Sequence, residues 1–371
     1  MKNVLTYARS LDWVLVGIVL ILLAYGLVIL YSLTLNVSSQ NVAAFWNQLW
    51  YVGIGIVVFF LASFLDYRYL RSYAWVLFGV GILLLIALRI FGTEIRGIRS
   101  WFVLGGVTFQ PVEIIKIILV IFLVRYFTDH GNELYRIRHL LVSGAATGIF
   151  LLLIILQPDL GSALILLGTF LALVLLVNIR RSHLLVLFVL LAIVAVVSWL
   201  FLLQGYQRDR ILTVLDPSRD PLGRGYNAKQ ALVAIGSGRF FGRGLGLGSQ
   251  SQLNFLPEQK TDFIFAVIAE ELGLVGASAL LGLYAWLLFR IYRIASQCSN
   301  DFGAYLVFGI GLVIFIQMLM NVGMNLGLLP VAGVPLPFVS AGGSSLIAML
   351  FAMGVVQSVA LRSRQFSFQQ R

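Results

Sequence analysis

Charge is scarce in this chain. Only 11% of its 371 residues are Asp, Glu, Lys or Arg, where a soluble domain carries about 25%. That excludes a surface bathed wholly in water. Cysteine is all but missing: Cys298 stands alone, which excludes an intramolecular disulfide and leaves a thiolate metal cluster without support. Histidine is nearly as rare. His130, His139 and His183 each lie near arginines in a short polar segment, with no ligand spacing, so they are expected at lipid headgroups rather than on zinc. Acids are outnumbered, 15 against 26 Lys and Arg, for a net charge of +11. In a soluble protein that balance would point to nucleic acid. Here the cations sit at the ends of apolar runs, where membrane lipids and topology account for them, and no nucleic acid is expected.

What the chain has is hydrocarbon. It is 60% hydrophobic, with a mean hydropathy of +0.97. A membrane span needs about 20 mostly apolar residues, and ten runs qualify: 12–33, 46–65, 72–91, 111–128, 140–157, 160–178, 184–204, 262–290, 303–325 and 343–361. The first is too long for a signal-peptide core and lacks a small-residue cleavage site, so it reads as a retained span. The expected fold class is an all-α polytopic membrane protein, with residues 1–371 forming a single integral membrane domain. With the N-terminus inside, the cytosolic connections collect the cations of 2–9, 68–71, 125–138, 180–181, 290–293 and 362–371. The short external loops hold only Arg96 and Arg99. This asymmetry follows the positive-inside rule and puts both termini in the cytosol.

One connection breaks the pattern. The segment 205–261 is one long extracytoplasmic loop by this topology, yet it carries Arg208, Arg210, Arg219, Arg224, Lys229, Arg239, Arg243 and Lys260 against four acids. An external basic excess works against the preferred topology, so the charge is expected to meet an anionic ligand or the headgroups of the outer leaflet.

The acids are as informative. In "FLPEQKTDFIFAVIAEELGLVG", 255–276, Asp262, Glu270 and Glu271 sit at the mouth of an apolar run or inside it. An acid in hydrocarbon costs roughly 2.5–3.5 kcal/mol on insertion scales. At 100° and 1.5 Å per residue, Asp262 and Glu270 lie about 80° and ~12 Å apart, and Glu271 points away, so the three cannot form one cluster. Asp262 is expected at the outer mouth in a functional role, or as a helix cap, although Thr261 already supplies one. Glu270 and Glu271 are expected to be structural acids partnering buried cations.

In "TFQPVEIIKIILV" Pro111 falls at a first helical position, and Glu113 and Lys116 follow at i, i+3 inside a span. They are expected to neutralise each other, as a structural lock or at a lined cavity. Upstream, "RGIRSWF" puts Arg96 and Arg99 beside Trp101 at the outer interface, and arginines of this kind bind phosphate. "QPDLGS" places Asp159 in a turn, capping the next helix or facing the same cavity as Asp262. "GYQRDRI" opens the long loop with Arg208 and Arg210, paired guanidinium groups suited to phosphate. A short amphipathic stretch follows at 226–236. The glycines of Gly242–Gly248 lack the strand and Lys-Ser/Thr of a P-loop, so flexibility is the reading preferred over a phosphate cradle. "LLPVAGVPLPFVSAGGSS", 328–345, is apolar but broken by Pro330, Pro335 and Pro337. It reads as a Pro-rich re-entrant segment packed against protein.

Arg96, Arg99, Asp159, Arg208, Arg210 and Asp262 all fall near the outer face. Cations suited to phosphate around one carboxylate fit a lipid-linked pyrophosphate substrate, with the acid as general base and the arginines on the leaving group.

Four motifs then agree in order and spacing: "GVTFQPVEIIKI", "QPDLG", "FLPEQKTDFIFAVIAEELGLVG" and "GVPLPFVSAGGSS". Together they resemble the SEDS family of bacterial cell-wall proteins over almost the whole chain, and its elongation branch more than its division branch. Ala341 departs from the pattern, standing where the family carries an aromatic. The resemblance implies a ten-span peptidoglycan glycosyltransferase of the bacterial cytoplasmic (inner) membrane. It would polymerise lipid II, the undecaprenyl-pyrophosphate-linked disaccharide-pentapeptide, in cell elongation and rod-shape maintenance. It also implies a class B penicillin-binding protein and other elongation-machinery membrane proteins as partners. The family's essential acid matches Asp262, and its intramembrane pair matches Glu113 and Lys116. A divalent cation, magnesium or manganese, would help neutralise pyrophosphate, but the sequence shows no ligand set for it. The alternative is a transporter that flips lipid II, which intramembrane acids and broken segments also fit. A non-catalytic scaffold leaves Asp262 and the arginines without a purpose.

Overall fold

The structure, a computed structural model, describes residues 10–35, 39–95, 98–104, 107–133, 136–177, 181–202, 205, 208, 212, 224–253 and 255–369. Among them, ten helices occupy the ten expected spans: α1 (Trp13–Ser32), α2 (Ser39–Phe64), α3 (Arg68–Phe91), α4 (Val112–Asp129), α5 (Ile137–Ile155), α6 (Leu160–Leu176), α7 (Arg181–Val197), α10 (Ile264–Ser296), α11 (Asp301–Asn325) and α12 (Gly343–Gln369). Seven are long and apolar enough to cross a membrane. Helices α6 and α7, at 17 residues each, fall short. Helix α4 carries Glu113, Lys116, Arg125 and Asp129, and begins one residue later than expected, with Pro111 in the capping position. Two further helices, α8 (Arg224–Gly238) and α9 (Ser249–Gln252), lie in the long connection. The amphipathic stretch 226–236 is thus the body of α8.

Helices α1 and α10 run antiparallel, and their contacts measure depth. Asp12 accepts from Leu15 N at 3.1 Å as the cap of α1, and takes Arg290 Nε at 3.0 Å. Tyr25 Oη donates to Gly276 O at 3.0 Å, and Ser32 Oγ donates to Glu271 at 2.6 Å. The 20 residues of α1 between the Arg290 and Glu271 contacts rise about 30 Å, one hydrocarbon thickness. Glu271 and Arg290 therefore stand about one hydrocarbon thickness apart, at opposite ends of α1.

Three departures from the sequence reading stand out. A small antiparallel sheet, β1 (Thr93–Ile95), β2 (Ile98–Leu104) and β3 (Val107–Phe109), fills the connection between α3 and α4, where the all-α reading placed only a loop with Arg96, Arg99 and Trp101 at the interface. Glu94 lies opposite Arg99 across it. The histidines are also more enclosed than headgroup contact requires. His139 and His183 are buried, His139 Nδ1 lies 2.9 Å from Tyr126 Oη, and the His130 ring packs 4.7 Å from that of His139.

The third departure concerns α10. It starts at Ile264, not 262, and Gly273 breaks it with φ 68° and ψ −164°, a region open essentially to glycine. The break frees backbone groups, and the loop after α8 satisfies them. Leu274 and Val275 N–H donate to the carbonyls of Arg239 and Phe240 at 2.9 and 3.1 Å. Arg243 and Gly244 N–H donate to the carbonyls of Glu270 and Glu271 at 3.0 and 2.9 Å. A Cβ at Gly273 would lie 2.3 Å from Gly242 N, and one at Gly242 would lie 2.1 Å from Glu271 O. The glycines of this loop thus provide close backbone packing, not flexibility. Non-helical backbone at membrane depth is tolerated when protein satisfies it in this way. Gly273→Ala is accordingly expected to cost about 2 kcal/mol or more, read as a lowered Tm in detergent. An unchanged Tm would mean that the break carries no strain.

Candidate functional site

The segment between α11 and α12 contains the three prolines and is tucked into the bundle, with Val334, Leu336, Phe338 and Val339 buried. Side chains from three helices hold it. Gln317 Nε2 of α11 donates to Pro335 O at 3.0 Å, Asn321 Nδ2 to Val334 O at 2.7 Å, and Tyr284 Oη of α10 to Pro337 O. Gln48 of α2 clamps the exit, donating to Ser340 O at 3.2 Å and accepting from Gly342 N at 3.1 Å. The Gly161 end of the "QPDLGS" turn presses so close that a Cβ there would lie 2.3 Å from Ala332 O. Ala341 contributes its backbone: its N–H donates to Lys260 O at 2.8 Å. Loss of an aromatic side chain at 341 leaves that tie intact.

Asp262 is half-buried at the head of α10. The capping position falls at Phe263, whose side chain caps nothing, and Asn325 Oδ1 accepts from Ala266 N at 3.1 Å in its place. Thr261 therefore does not cap this helix; its hydroxyl turns back to Glu258. The Asp262 turn is gripped through its backbone. Asn321 Nδ2 and Asn325 Nδ2 both donate to Asp262 O at 2.9 Å, and Ser340 Oγ donates to Thr261 O. The Asp262 carboxylate lies along the Pro-rich segment, with Oδ2 3.6 Å from where a Gly333 Cβ would sit. Burial pushes the neighbouring Lys260 ammonium below its usual range, while Glu258 pulls it back in part.

Beneath this lies the ion pair. Lys116 Nζ is 2.8 Å from Glu113 Oε2, with side chains only 1% and 3% exposed, and it donates to Gln317 Oε1 at 3.0 Å. Since Gln317 also holds Pro335 O, one amide ties the pair to the segment beside Asp262. Asp159 is buried and caps α6, accepting from Ser162 N at 3.0 Å and Ser162 Oγ at 2.7 Å. It also takes Gln110 Nε2 at 3.4 Å. Burial raises its carboxyl above the usual range; the Ser162 bonds and the Lys116 charge oppose that, and Glu113 adds to it.

Glu270 and Glu271 stand apart from this site, and among the described residues neither partners a cation. Glu270 takes the N–H groups of Gln250 and Ser251 at 2.8 and 3.0 Å, at the start of α9. Glu271 takes Ser32 Oγ and, at 3.2 Å, Gln252 Nε2. Neutral dipoles do here what cations were expected to do. Arg208 donates through Nη2 to Leu200 O at 3.2 Å, and no contact joins it to Asp262. The Nε atoms of Arg208 and Arg99 are buried without an acceptor. Arg96 and Arg210 lie outside the described residues.

Sequence reasoning missed Gln317, Asn321 and Asn325, the side chains that hold the site together. Their spacing of i, i+4 and i+8 in "QMLMNVGMN" was the signal: one polar stripe down an otherwise apolar helix.

A polytopic helical membrane protein, with a clamped acid at the head of a broken helix and a buried ion pair beneath a re-entrant segment, is thereby defined. The chain belongs to the family described as FTSW_RODA_SPOVE, cell cycle protein, whose profile matches residues 12–365. It is similar to the peptidoglycan glycosyltransferase MrdB of Escherichia coli K12, 38% identical over 364 residues, covering 96% of this chain and 95% of that one. It is also similar to stage V sporulation protein E of Bacillus subtilis 168, 36% identical over 368 residues, covering 97% and 99%. Among solved structures, a chain of a peptidoglycan synthase complex that coordinates polymerization and crosslinking superposes with a TM-score of 0.82. The two are 35% identical, and the match covers 96% of this chain and 99% of that one. The rod shape determining protein RodA of Thermus thermophilus gives 0.70 at 32% identity, over 94% and 96%.

Proposed function

We propose that this chain is a peptidoglycan glycosyltransferase that polymerises lipid II at the outer face of the cytoplasmic membrane during cell elongation, with Asp262 as its general base. One observation carries the residue assignment: two buried asparagines of α11 and Ser340 fix the Asp262 turn through its backbone and leave its carboxylate on the Pro-rich segment. A base must be held in place before its proton affinity matters. In the step itself, an acceptor sugar hydroxyl attacks the anomeric carbon of the donor and Asp262 takes its proton. The new C–O bond forms as the bond to pyrophosphate breaks, and the undecaprenyl pyrophosphate departs with its electron pair. Arg99 and Arg208 each hold a buried N–H without an acceptor, a donor suited to a pyrophosphate oxygen. Among the described residues no three of His, Cys, Asp or Glu converge to hold a metal ion. Magnesium or manganese would therefore draw mainly on pyrophosphate oxygens.

The charge bias supports the orientation, with the Arg290 end of α10 inside and its Glu271 end outside. Similarity to a chain of a synthase complex supports a class B penicillin-binding protein as partner. Purified chain, free of other transferases, is expected to give a glycan ladder from lipid II on a gel. Faster lipid II exchange between liposome leaflets with no ladder would instead establish a transporter. Replacing Arg208 and Arg210 with glutamine is expected to slow turnover while insertion and expression stay normal. A variant that inverts or is degraded would assign those arginines to assembly.

A further inference from the structure

At the end of α8 the chain makes a tight hairpin, "RFFGR", that the glycosyltransferase chemistry does not use. Its backbone is locked into the break of α10 by the four hydrogen bonds described above, so its side chains project from a fixed base. Phe240 and Phe241 are 67% and 84% exposed, and Arg239 and Arg243 flank them, both exposed. Residues 237–243 line a cleft of about 670 Å³, and no acid is among them. Glu270 and Glu271, whose main chain the loop touches, have fully buried side chains bonded to α9 and Ser32, and among the described residues no salt bridge takes up either arginine. Depth agrees. Phe240 O accepts from Val275 N, beyond Glu271 in the direction of Arg290, which puts the hairpin on the acyl side of the Glu271 level. That is the level where aromatic rings insert and arginines reach headgroups.

Arg239 supplies a further argument. It occupies the position after the helix end in a left-handed conformation, φ 51°, where glycine is the residue of least strain. A non-glycine residue held there at a cost points to a use for its side chain.

We propose that the Arg239–Arg243 hairpin is a binding site for one anionic phospholipid of the outer leaflet. The two guanidinium groups take the phosphodiester, and Phe240 and Phe241 pack against the acyl chains. The lipid thereby sits on the loop that braces Gly273, one helix half away from Asp262.

The test uses the full chain in neutral detergent with dioleoyl phosphatidylglycerol, dioleoyl phosphatidylcholine and inorganic phosphate as probes, read by native mass spectrometry and Tm. Wild type is expected to retain one phosphatidylglycerol in preference to phosphatidylcholine. In R239G/R243Q the affinity for that lipid should fall about thirtyfold, at roughly one cation's contribution for each arginine. R239G alone should not lower the Tm, because glycine relieves the left-handed strain. Equal phosphatidylglycerol binding by wild type and double variant would overturn the proposal. So would equal binding of phosphatidylcholine, displacement of the lipid by inorganic phosphate, or its displacement by one equivalent of the transpeptidase partner, which would make the hairpin a protein interface.

Discussion

Asp262→Asn is expected to reduce glycan formation from lipid II by about 10²–10⁴-fold, the usual cost of removing a general base, while the protein folds normally. Asparagine keeps the size of the side chain and some hydrogen-bonding capacity. The geometry gives a stronger reason for the fold to survive: Asn321 and Asn325 grip the main-chain carbonyl of residue 262, not its side chain. Tm and partner binding should therefore match wild type while the ladder on the gel vanishes. Near-normal polymerisation by this variant would move the base elsewhere. Asp159 would then be the next carboxylate to replace, although its present bonds to Ser162 and Gln110 fit a cap better than a base.

Lys116→Met and Glu113→Gln, made singly, are each expected to destabilise the protein by about 3–5 kcal/mol, the cost of leaving one buried charge alone. The double replacement should cost less than the sum of the two. Lys116→Met should be the worse single change, because it strands Glu113 and also removes the donor to Gln317 Oε1. Gln317 then loses the partner that orients it toward Pro335 O, and the segment beside Asp262 loosens. Polymerisation should consequently fall further than the Tm loss alone would explain. Additive losses across the double-mutant cycle would show that the two charges do not act as a pair.

The spans were legible because each is a long apolar run, and hydrocarbon tolerates little else. The Glu113–Lys116 contact was legible because i, i+3 spacing is local geometry. Asp262 drew notice as an acid at the mouth of a span. The break at Gly273 was not legible, since a lone glycine in an apolar run reads as a tolerated helix residue until a second loop is known to pair with it. The partners of Glu270 and Glu271 were missed for a related reason. Burial of a carboxylate demands compensation, but sequence does not say whether a cation or a set of N–H dipoles supplies it, and here α9 and Ser32 do. Thr261 shows the same limit. It is a good local cap, yet Asn325, 59 residues from the N–H it accepts, does the capping.

The central claim is that Asp262 acts on the reacting hydroxyl and not on substrate binding. The most direct measurement is the chain-elongation rate at saturating lipid II for purified wild type and Asp262→Asn, alongside the lipid II dissociation constant of each. Equal dissociation constants with a rate at least about 100-fold lower in the variant are the predicted result. A weakened dissociation constant with an unchanged saturated rate would contradict it, and would make Asp262 a binding residue.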